Sequence, residues 1–421
     1  SKLATLEPEV GVGVDISEKK IEIARKTYPG LFFEVGDMED PDLISSIQDL
    51  GPYDVILLFD SLGYVWDVQK FLEQLQPLCN SETRIVSVYY SYLWEPLLKL
   101  LEISGLRMKT IDTTWLRMID VERFLSLSGF EVVKKEWRVL CPAKLFGVGV
   151  FINKALATLP LFRKLSLRHF VVARLRPNDS WQDQSVTVVI PCRNEQGNIE
   201  EVVNRLPKLG THTQVIFVEG HSDDNTWAEI IRVKGLNPSM DIKAIQQSGV
   251  GKGNAVREGF QKAKGDVLMI LDADLTVAPE DLPKFYAEIA SGRGEYINGS
   301  RLVYSMESEA MRFLNYLANR SFASIFSFLL NQSYSDTLCG TKVIGRKHYE
   351  KLIGGRPYFG DFDPFGDFDL IFGATKLNLK ISEVPIRYRK RQYGVTQISR
   401  FRHGILLIRM VVFAFRKLKL V

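Results

Sequence analysis

A chain of 421 residues, 46% apolar and 25% charged, is longer than one ordinary hydrophobic core serves, so two domains are expected. A net charge of only +4, with the basic residues gathered toward the C-terminus and no recognition motif beside them, argues against nucleic-acid binding. Cys79, Cys141, Cys192 and Cys339 lie far apart with no Cys-x-x-Cys, which speaks against a zinc site or disulfide scaffold and fits a reducing interior; no signal peptide is visible, and Asn153, Lys154 and Arg409 interrupt the two stretches nearest to transmembrane length.

Residues 10–140 alternate strand and helix signals. Stretches 10–16, 31–35, 53–59, 83–89 and 130–133 read as strands, and 18–26, 68–78 and 121–128 as helices, the first capped by Ser17. The pattern predicts a doubly wound α/β domain. Its first three strands are closed by Asp15, Asp37 and Asp60. An acidic residue at a strand end can hold the two hydroxyls of a ribose, which suits Asp15, while Asp37 is placed for the edge of an adenine and Asp60 for a third loop. Each is equally suited to a cap or a turn.

The segments Val12-Gly13-Val14-Asp15-Ile16-Ser17, Gly36-Asp37-Met38 and Tyr53-Asp54-Val55-Ile56-Leu57-Leu58 resemble the middle of a class I methyltransferase that uses S-adenosylmethionine. The resemblance covers roughly residues 1–140 and implies a Rossmann-like domain with Asp15, Asp37 and Asp60 around the cofactor. That family's glycine-rich loop, which precedes the residue matching Asp15, is not in this sequence. The expectation is a methyltransferase-like domain that is either incompletely represented or degenerate, with no catalytic residue to name.

From 141 to 180 the character changes. Segments 145–151 and 155–162 are rich in apolar and small residues and are followed by Arg163, Lys164 and Arg168. They suit a segment lying on a membrane surface with its basic residues at the headgroups, or equally a lid or packing helix. Residues 171–175 read as a strand closing the first domain (1–175), and 176–185, with Pro177, as a linker.

In the second half, 186–191 is a strand stopped by Pro191, followed by Cys192, Arg193, Asn194 and Glu195 and a helix at 198–206. Strand 214–218 ends in Glu219; a helix at 227–233, a strand at 242–245 and a helix at 256–263 follow, the last preceded by Gly249, Gly251, Lys252 and Gly253. The apolar run 267–271 is a strand covered on both faces that ends in Asp272 and Asp274. Two carboxylates two residues apart on extended chain point the same way and form a seat for a hard divalent cation, Mg2+ or Mn2+, with phosphate oxygens on its far side. Glu219 can accept hydrogen bonds from a base or ribose, the glycines admit backbone close to a ligand, and Lys252 can meet a phosphate. The glycine run is not a Walker A loop, lacking Gly-Lys-Ser/Thr at its end.

Together these stretches resemble a family 2 glycosyltransferase of GT-A fold, over residues 186 to about 400. The matching segments are Val188-Val189-Ile190-Pro191-Cys192-Arg193-Asn194-Glu195, Val218 to Thr226, Leu271-Asp272-Ala273-Asp274-Leu275, Asn298-Gly299-Ser300-Arg301 and Asp336-Thr337-Leu338-Cys339-Gly340. The subgroup most similar is that of dolichyl-phosphate mannose synthase and the bacterial polyprenyl-phosphate glycosyltransferases. The resemblance implies a donor nucleotide and diphosphate site of Pro191, Arg193, Glu195, Glu219, Lys252, Asp272, Arg391 and Thr396. It implies an acceptor side of Ser300, Arg301, Asp336 and Cys339, and Asp369, with Asp367 as rival, as catalytic base or acceptor-positioning group. His403 is a candidate third metal ligand beside Asp272 and Asp274. The family's Arg-x-x-Gly-x-Ser-Lys closure reads here Arg391-Gln392-Tyr393-Gly394-Val395-Thr396-Gln397, without the lysine.

The function so implied is inverting, metal-dependent transfer of a sugar from a nucleoside diphosphate to a lipid-linked or polyprenyl-phosphate acceptor, in glycolipid or cell-envelope glycan synthesis. The alternatives are transfer to a soluble glycan or small-molecule hydroxyl, and methyl transfer by the first domain as main or second activity. Phe401, Ile405, Ile408, Val412 and Phe415 recur at helical spacing with Arg402, Arg409 and Arg416 on another face, so 401–421 is expected to be a basic amphipathic helix, on the inner face of the cell membrane or else packed on the catalytic domain with its arginines in water. Leu314, Leu317, Ala318, Phe322, Ile325, Phe326, Leu329 and Leu330 are expected to line a lipid groove or an internal dimer or domain interface. Homo-oligomerisation is left open.

Overall fold

Alternate side chains of the strand Val186–Cys192 enter different cores. Val186, Val188 and Ile190 join one apolar cluster, Val189 the other, and all are fully buried. Burial on both faces is what an unbroken apolar run demands. The computed structural model describes residues 7–108, 113–143, 145–177, 181–304, 313–355, 368–391, 393–394 and 400–419, without the side chains of 145, 313–315 and 400–403. It divides into two units, Ser1–Arg176 and Pro177–Val421.

The first unit runs β1 (Val12–Asp15), α1 (Glu18–Thr27), β2 (Phe32–Val35), α2 (Pro41–Gln48), β3 (Val55–Phe59), α3 (Val68–Gln74), β4 (Arg84–Tyr90), α4 (Glu95–Ile103), α5 (Met118–Leu127), β5 (Phe130–Arg138), α6 (Val148–Phe151), α7 (Pro160–Arg163) and β6 (Arg168–Leu175). β1 and β2 pair in parallel as a sheet of their own, and the other four strands form a second sheet in the order β3-β4-β6-β5. β3 and β4 are parallel, but β6 runs antiparallel to both β4 and β5. The expected doubly wound domain is thus corrected to two α/β sheet regions with an antiparallel end. The reason lies in β5, which continues five residues past the expected 133 because Lys134, Lys135, Glu136 and Arg138 are tolerated on its half-exposed faces, and in β6, which returns beside it after the connection 139–167. Leu62, Phe71, Leu72, Ile85, Val121, Leu125 and Phe130 form the core.

The second unit runs β7 (Val186–Cys192), α8 (Ile199–Arg205), β8 (Thr213–Glu219), α9 (Thr226–Leu236), β9 (Asp241–Gln246), α10 (Lys252–Lys262), β10 (Val267–Ile270), α11 (Leu282–Ala290), β11 (Tyr296–Ser300), α12 (Phe313–Leu330), β12 (Lys342–Gly345), α13 (Arg346–Gly355), α14 (Phe368–Lys376), β13 (Ile381–Pro385) and α15 (Arg400–Leu418). Its seven strands are ordered β13-β11-β12-β10-β7-β8-β9. All adjacent pairs are parallel except those made by β12, which opposes β10 and β11. Side chains of α8, α9 and α11 fill one core, and those of α10 and α12–α15 the other. α10 lies so close to the sheet that a Cβ on Gly259 would come 2.3 Å from a methyl of Val189. Residues 181–184 of the expected linker pack on this unit: Gln182 donates to the Ala290 carbonyl (2.9 Å), and the Gln184 N–H to the Tyr286 hydroxyl (3.0 Å).

Two apolar stretches that the sequence leaves open between two readings pack in part against the second unit's core. In α12, Phe326, Leu329 and Leu330 are core residues rather than groove lining; Leu317 and Ile325 face outward, and the side chain of Leu314 lies outside the described residues. α15 is apolar on two sides. Leu407, Met410 and Ala414 pack inward, while Ile405, Ile408 and Val412 remain exposed beside Arg409 and Arg416. No helix among the described residues is long and apolar enough to cross a membrane.

Candidate functional site

Parallel strands that end together bring their exit loops together. Cys192, Glu219 and Gln246 are register partners at the ends of β7, β8 and β9. The loops beyond them are tied by polar contacts. Asn194, at φ 57°, donates its N–H to the Ser222 hydroxyl (3.0 Å) and accepts from the Asp223 N–H (2.8 Å). Buried Glu219 accepts the Ser222 N–H (2.6 Å). His221, at φ 56°, reaches the Gly249 carbonyl through Nε2 (3.1 Å). Gln247 donates to the Gly251 carbonyl and the Asn254 side chain, both at 2.9 Å. Pro191 is half-buried and Arg193 exposed at this mouth.

Gly251, at φ 90°, breaks the chain direction, so α10 starts at Lys252 rather than at 256. Lys252 therefore stands on the first turn, and its Nζ lies 2.6 Å from Asp272 Oδ1. Burial pushes the Asp272 carboxyl up, but Lys252, Lys342 and Arg301 outweigh it and hold the group below its ordinary range. Asp274 accepts from the Thr276 N–H (3.1 Å) and hydroxyl (2.7 Å), and its Oδ2 accepts from Arg391 Nη2 (2.6 Å). Arg391 also donates to Glu195 Oε1 (2.9 Å), whose other oxygen accepts from Asn198 (2.6 Å). Burial raises the Glu195 carboxyl to about 7 despite that arginine.

Across from these lies a buried polar wall. Arg301 grips Asp336 through Nε (2.6 Å) and Nη2 (2.9 Å), while the Arg301 and Leu338 N–H groups donate to the same carboxylate (3.1 and 2.9 Å). Asn298 joins the Asp336 carbonyl (2.5 Å) to Glu383 (3.0 Å). The ammonium of fully buried Lys342 donates to the Cys339 carbonyl. Gly340 is pressed against the acidic pair: a Cβ there would lie 1.9 Å from Asp272 Oδ2. Ser300 and Cys339 are buried too, the thiol pushed up to about 11 by burial, so both belong to the body of the wall.

The structure therefore gathers Glu195, Lys252, Asp272, Asp274 and Arg391 into one cluster, with Arg301 and Asp336 behind it. It places Asp369 elsewhere on α10's flank: in the first turn of α14, 3.4 Å from Arg257, beside a cleft bounded by Lys351, Gly355 and Lys376. Arg257 is five residues past Lys252, about 7.5 Å along the helix axis. Asp367 and Thr396 lie outside the described residues, as does the side chain of His403. Among the described residues no group of three His, Cys, Asp or Glu could hold a metal. The donor set of Asp272 and Asp274 nonetheless fits a hard divalent cation, provided a diphosphate supplies further oxygens. Sequence reasoning missed Asn198, Lys342 and Glu383, and it quoted Asn298 only as part of a matching segment. Glu383 alone carried a signal, an acidic residue interrupting an otherwise apolar strand.

In the first unit, Asp15 caps the turn before α1 through the Ser17 N–H (2.9 Å) and pairs with Lys20 (3.1 Å). Asp37 accepts the Glu39 N–H (3.0 Å). Asp60 is ion-paired with Arg168, which stacks 3.9 Å from the Tyr90 ring centre. All three stand at strand ends, and all three have local structural work.

Residues 187–353 match the family model described as Glycosyl transferase family 2. A dolichol-phosphate mannosyltransferase of Pyrococcus furiosus is 33% identical over 137 residues, 32% of this chain and 38% of that protein. An undecaprenyl-phosphate 4-deoxy-4-formamido-L-arabinose transferase of Edwardsiella ictaluri is 34% identical over 220 residues, 50% of this chain and 62% of its own length. The chain thus spans under two thirds of both. A glucosyl-3-phosphoglycerate synthase structure from Mycobacterium tuberculosis, solved with Mn2+, UDP and glucosyl-3-phosphoglycerate, aligns over 56% of this chain and 80% of its own at 16% identity, with a TM-score of 0.40. The family match falls within the second unit, and the methyltransferase resemblance of the first draws no support from these similarities.

Proposed function

We propose that the family 2 glycosyltransferase domain of this chain moves a sugar, with inversion, from a nucleoside diphosphate to a polyprenyl-phosphate acceptor at a membrane surface. The observation that carries the reading is the cluster in which Lys252 and Arg391 neutralise Asp272 and Asp274 beyond the end of β10. Two cations and two carboxylates in one place suit a ligand that brings both a diphosphate and a divalent ion. Asp272 and Asp274 would hold Mg2+ or Mn2+, which supplies charge neutralisation for the departing diphosphate. Lys252 and Arg391 then turn from the carboxylates to phosphate oxygens, Arg391 as a planar fork and Lys252 as a point charge. Glu219 accepts from the base or ribose. The Arg301–Asp336 pair keeps the acceptor wall fixed while the attacking oxygen approaches. Asp369, apart from the cluster and beside Arg257, is given the acceptor-positioning role on the family resemblance. A phosphate oxygen is already ionised and needs no base, so Asp369 carries a proton only if the acceptor is a hydroxyl.

Sequence similarity to enzymes named for dolichol phosphate and undecaprenyl phosphate supports the acceptor class. The outward stripe of Ile405, Ile408 and Val412 with Arg409 and Arg416 supports peripheral contact with lipid. S-adenosylmethionine has no part in the proposed activity, which rests on the family match in the second unit. The test is turnover of a nucleotide-sugar panel with Mn2+ or Mg2+, using undecaprenyl or dolichyl phosphate in vesicles and soluble glycans as acceptors, with Asp274→Asn alongside. Sugar transfer to the lipid phosphate, lost in the variant, supports the reading. Transfer only to soluble hydroxyls overturns the acceptor, and no donor use in any arm overturns the activity.

A further inference from the structure

The first unit carries an apolar surface that its own fold leaves uncovered. Between β5 and β6 the chain makes a projection that is pinned at its base: Asn153 exchanges hydrogen bonds with the backbone of Cys141 (2.8 and 2.7 Å), and the Leu167 N–H donates to the Val139 carbonyl (2.8 Å). Val139 (φ 64°) and Phe146 (φ 52°) are held in left-handed backbone. Non-glycine residues stay there only where their surroundings fix them. The projection is therefore shaped, yet its large side chains point into solvent. Phe146 is fully exposed, Phe151 67% and Leu161 78%. Trp94, just before α4, donates to the Leu165 carbonyl (2.8 Å), so the projection is tied to the start of α4. On and just beyond α4, Leu100 (60%), Ile103 (81%) and Leu106 (79%) are exposed as well.

Charge identifies the cover. Residues 139–168 contain no aspartate or glutamate. Lys154 and Lys164 are exposed, with no acidic partner among the described residues. Around α4 each acid is already balanced, Glu95 by Lys99 (2.5 Å) and Glu102 by Arg107 (2.9 Å). Exposed phenylalanine and leucine flanked by unpaired lysines, with every acid neutralised, is the pattern of an element seated in the headgroup layer of an anionic bilayer. A second protein surface would be expected to meet paired charges of both signs at the rim.

We infer that this projection and α4 together form a lipid-surface docking site specific for anionic membranes. It is a second lipid contact, separate from α15 and independent of what the glycosyltransferase domain transfers. The test is co-sedimentation of the full chain with vesicles of phosphatidylglycerol and phosphatidylcholine or of phosphatidylcholine alone. Wild type is compared with Phe146→Ser/Phe151→Ser, Lys154→Glu/Lys164→Glu and, for α15, Ile405→Ser/Ile408→Ser. Each first-unit double variant is expected to lower partitioning onto the anionic vesicles by about tenfold or more. Thermal melting and nucleotide-sugar binding stay as in wild type, and the α15 variant retains the salt-sensitive share of binding. Unchanged partitioning of the first-unit variants, equal binding to neutral vesicles, or loss of self-association in place of vesicle binding overturns the inference. Nucleotide-sugar binding in the same samples reports on the catalytic reading alone.

Discussion

The Lys252 ammonium sits 2.6 Å from Asp272 Oδ1, on the first turn of the helix that faces the strand-end carboxylates. An internal cation thus holds the place of the charge that a ligand complex would bring. Asp272→Asn is expected to remove the metal dependence of nucleotide-sugar binding, measured calorimetrically with and without Mn2+. Lys252→Met is expected to keep that metal dependence and lower kcat/KM roughly 10- to 100-fold, the share of one charge-assisted phosphate contact. Equal metal dependence in both variants would separate Asp272 from the metal.

Glu195 makes donor-side stability depend on pH. Burial holds its proton up to about pH 7, above the ordinary 4.5. A raised acid contributes stability that is complete below the ordinary value and is lost as pH rises through about 7. The melting temperature of the second unit should therefore fall between pH 4.5 and 7, and Glu195→Gln should flatten that slope. An unchanged slope would place the titration elsewhere.

His169 has the opposite sign. It is buried between Tyr89 and Trp137, neither ring nitrogen has a hydrogen-bond partner among the described residues, and burial lowers it to about 4. Stability from the neutral ring is complete above 6.5 and is lost as pH falls through 4, about 3 kcal/mol in all. His169→Phe should abolish this acid sensitivity of the first unit, as read by denaturant titration at pH 4 and 7.

Arg301 and Asp336 form a buried pair in which burial pushes the carboxyl up and Arg301 outweighs it, holding the carboxyl below its ordinary range. Removing one partner strands the other charge, so Arg301→Met and Asp336→Leu are each expected to cost about 3–5 kcal/mol. The double variant should cost less than their sum. Strict additivity in chemical denaturation would refute the coupling.

Asp369→Asn discriminates between acceptors. With a lipid phosphate, kcat should fall by less than about tenfold; with a hydroxyl acceptor the loss of a base would be roughly 10²–10⁴-fold. A steep loss with lipid phosphate would give Asp369 a proton-transfer role.

Legibility followed the range of the interactions. The buried run into Asp272 and Asp274 was visible because two-sided burial and a pair of like charges are local patterns. The bridge from Arg391 to Glu195 spans 196 residues, and nothing local announces it. Lys342 hides for another reason: a lysine reads as surface, and contacts such as that to the Cys339 carbonyl, with the Asp272 carboxylate near by, make its burial tolerable. In α15 the outward stripe was read while the inward Leu407, Met410 and Ala414 were not, since two apolar faces blur a single period. The antiparallel return of β6 was unreadable because strand direction depends on the connection, not on the residues of the strand.

β12 runs against both of its neighbours, so the 335–341 loop arrives at the ligand edge before its strand, whereas the donor loops leave after theirs. Most of the donor cluster is encoded between 186 and 276, and the acceptor wall begins only at 296. On the proposed reading the two specificities sit on separate stretches of one gene, and a crossover in the α11 region is expected to exchange the recipient of the sugar while leaving most of the donor pocket intact.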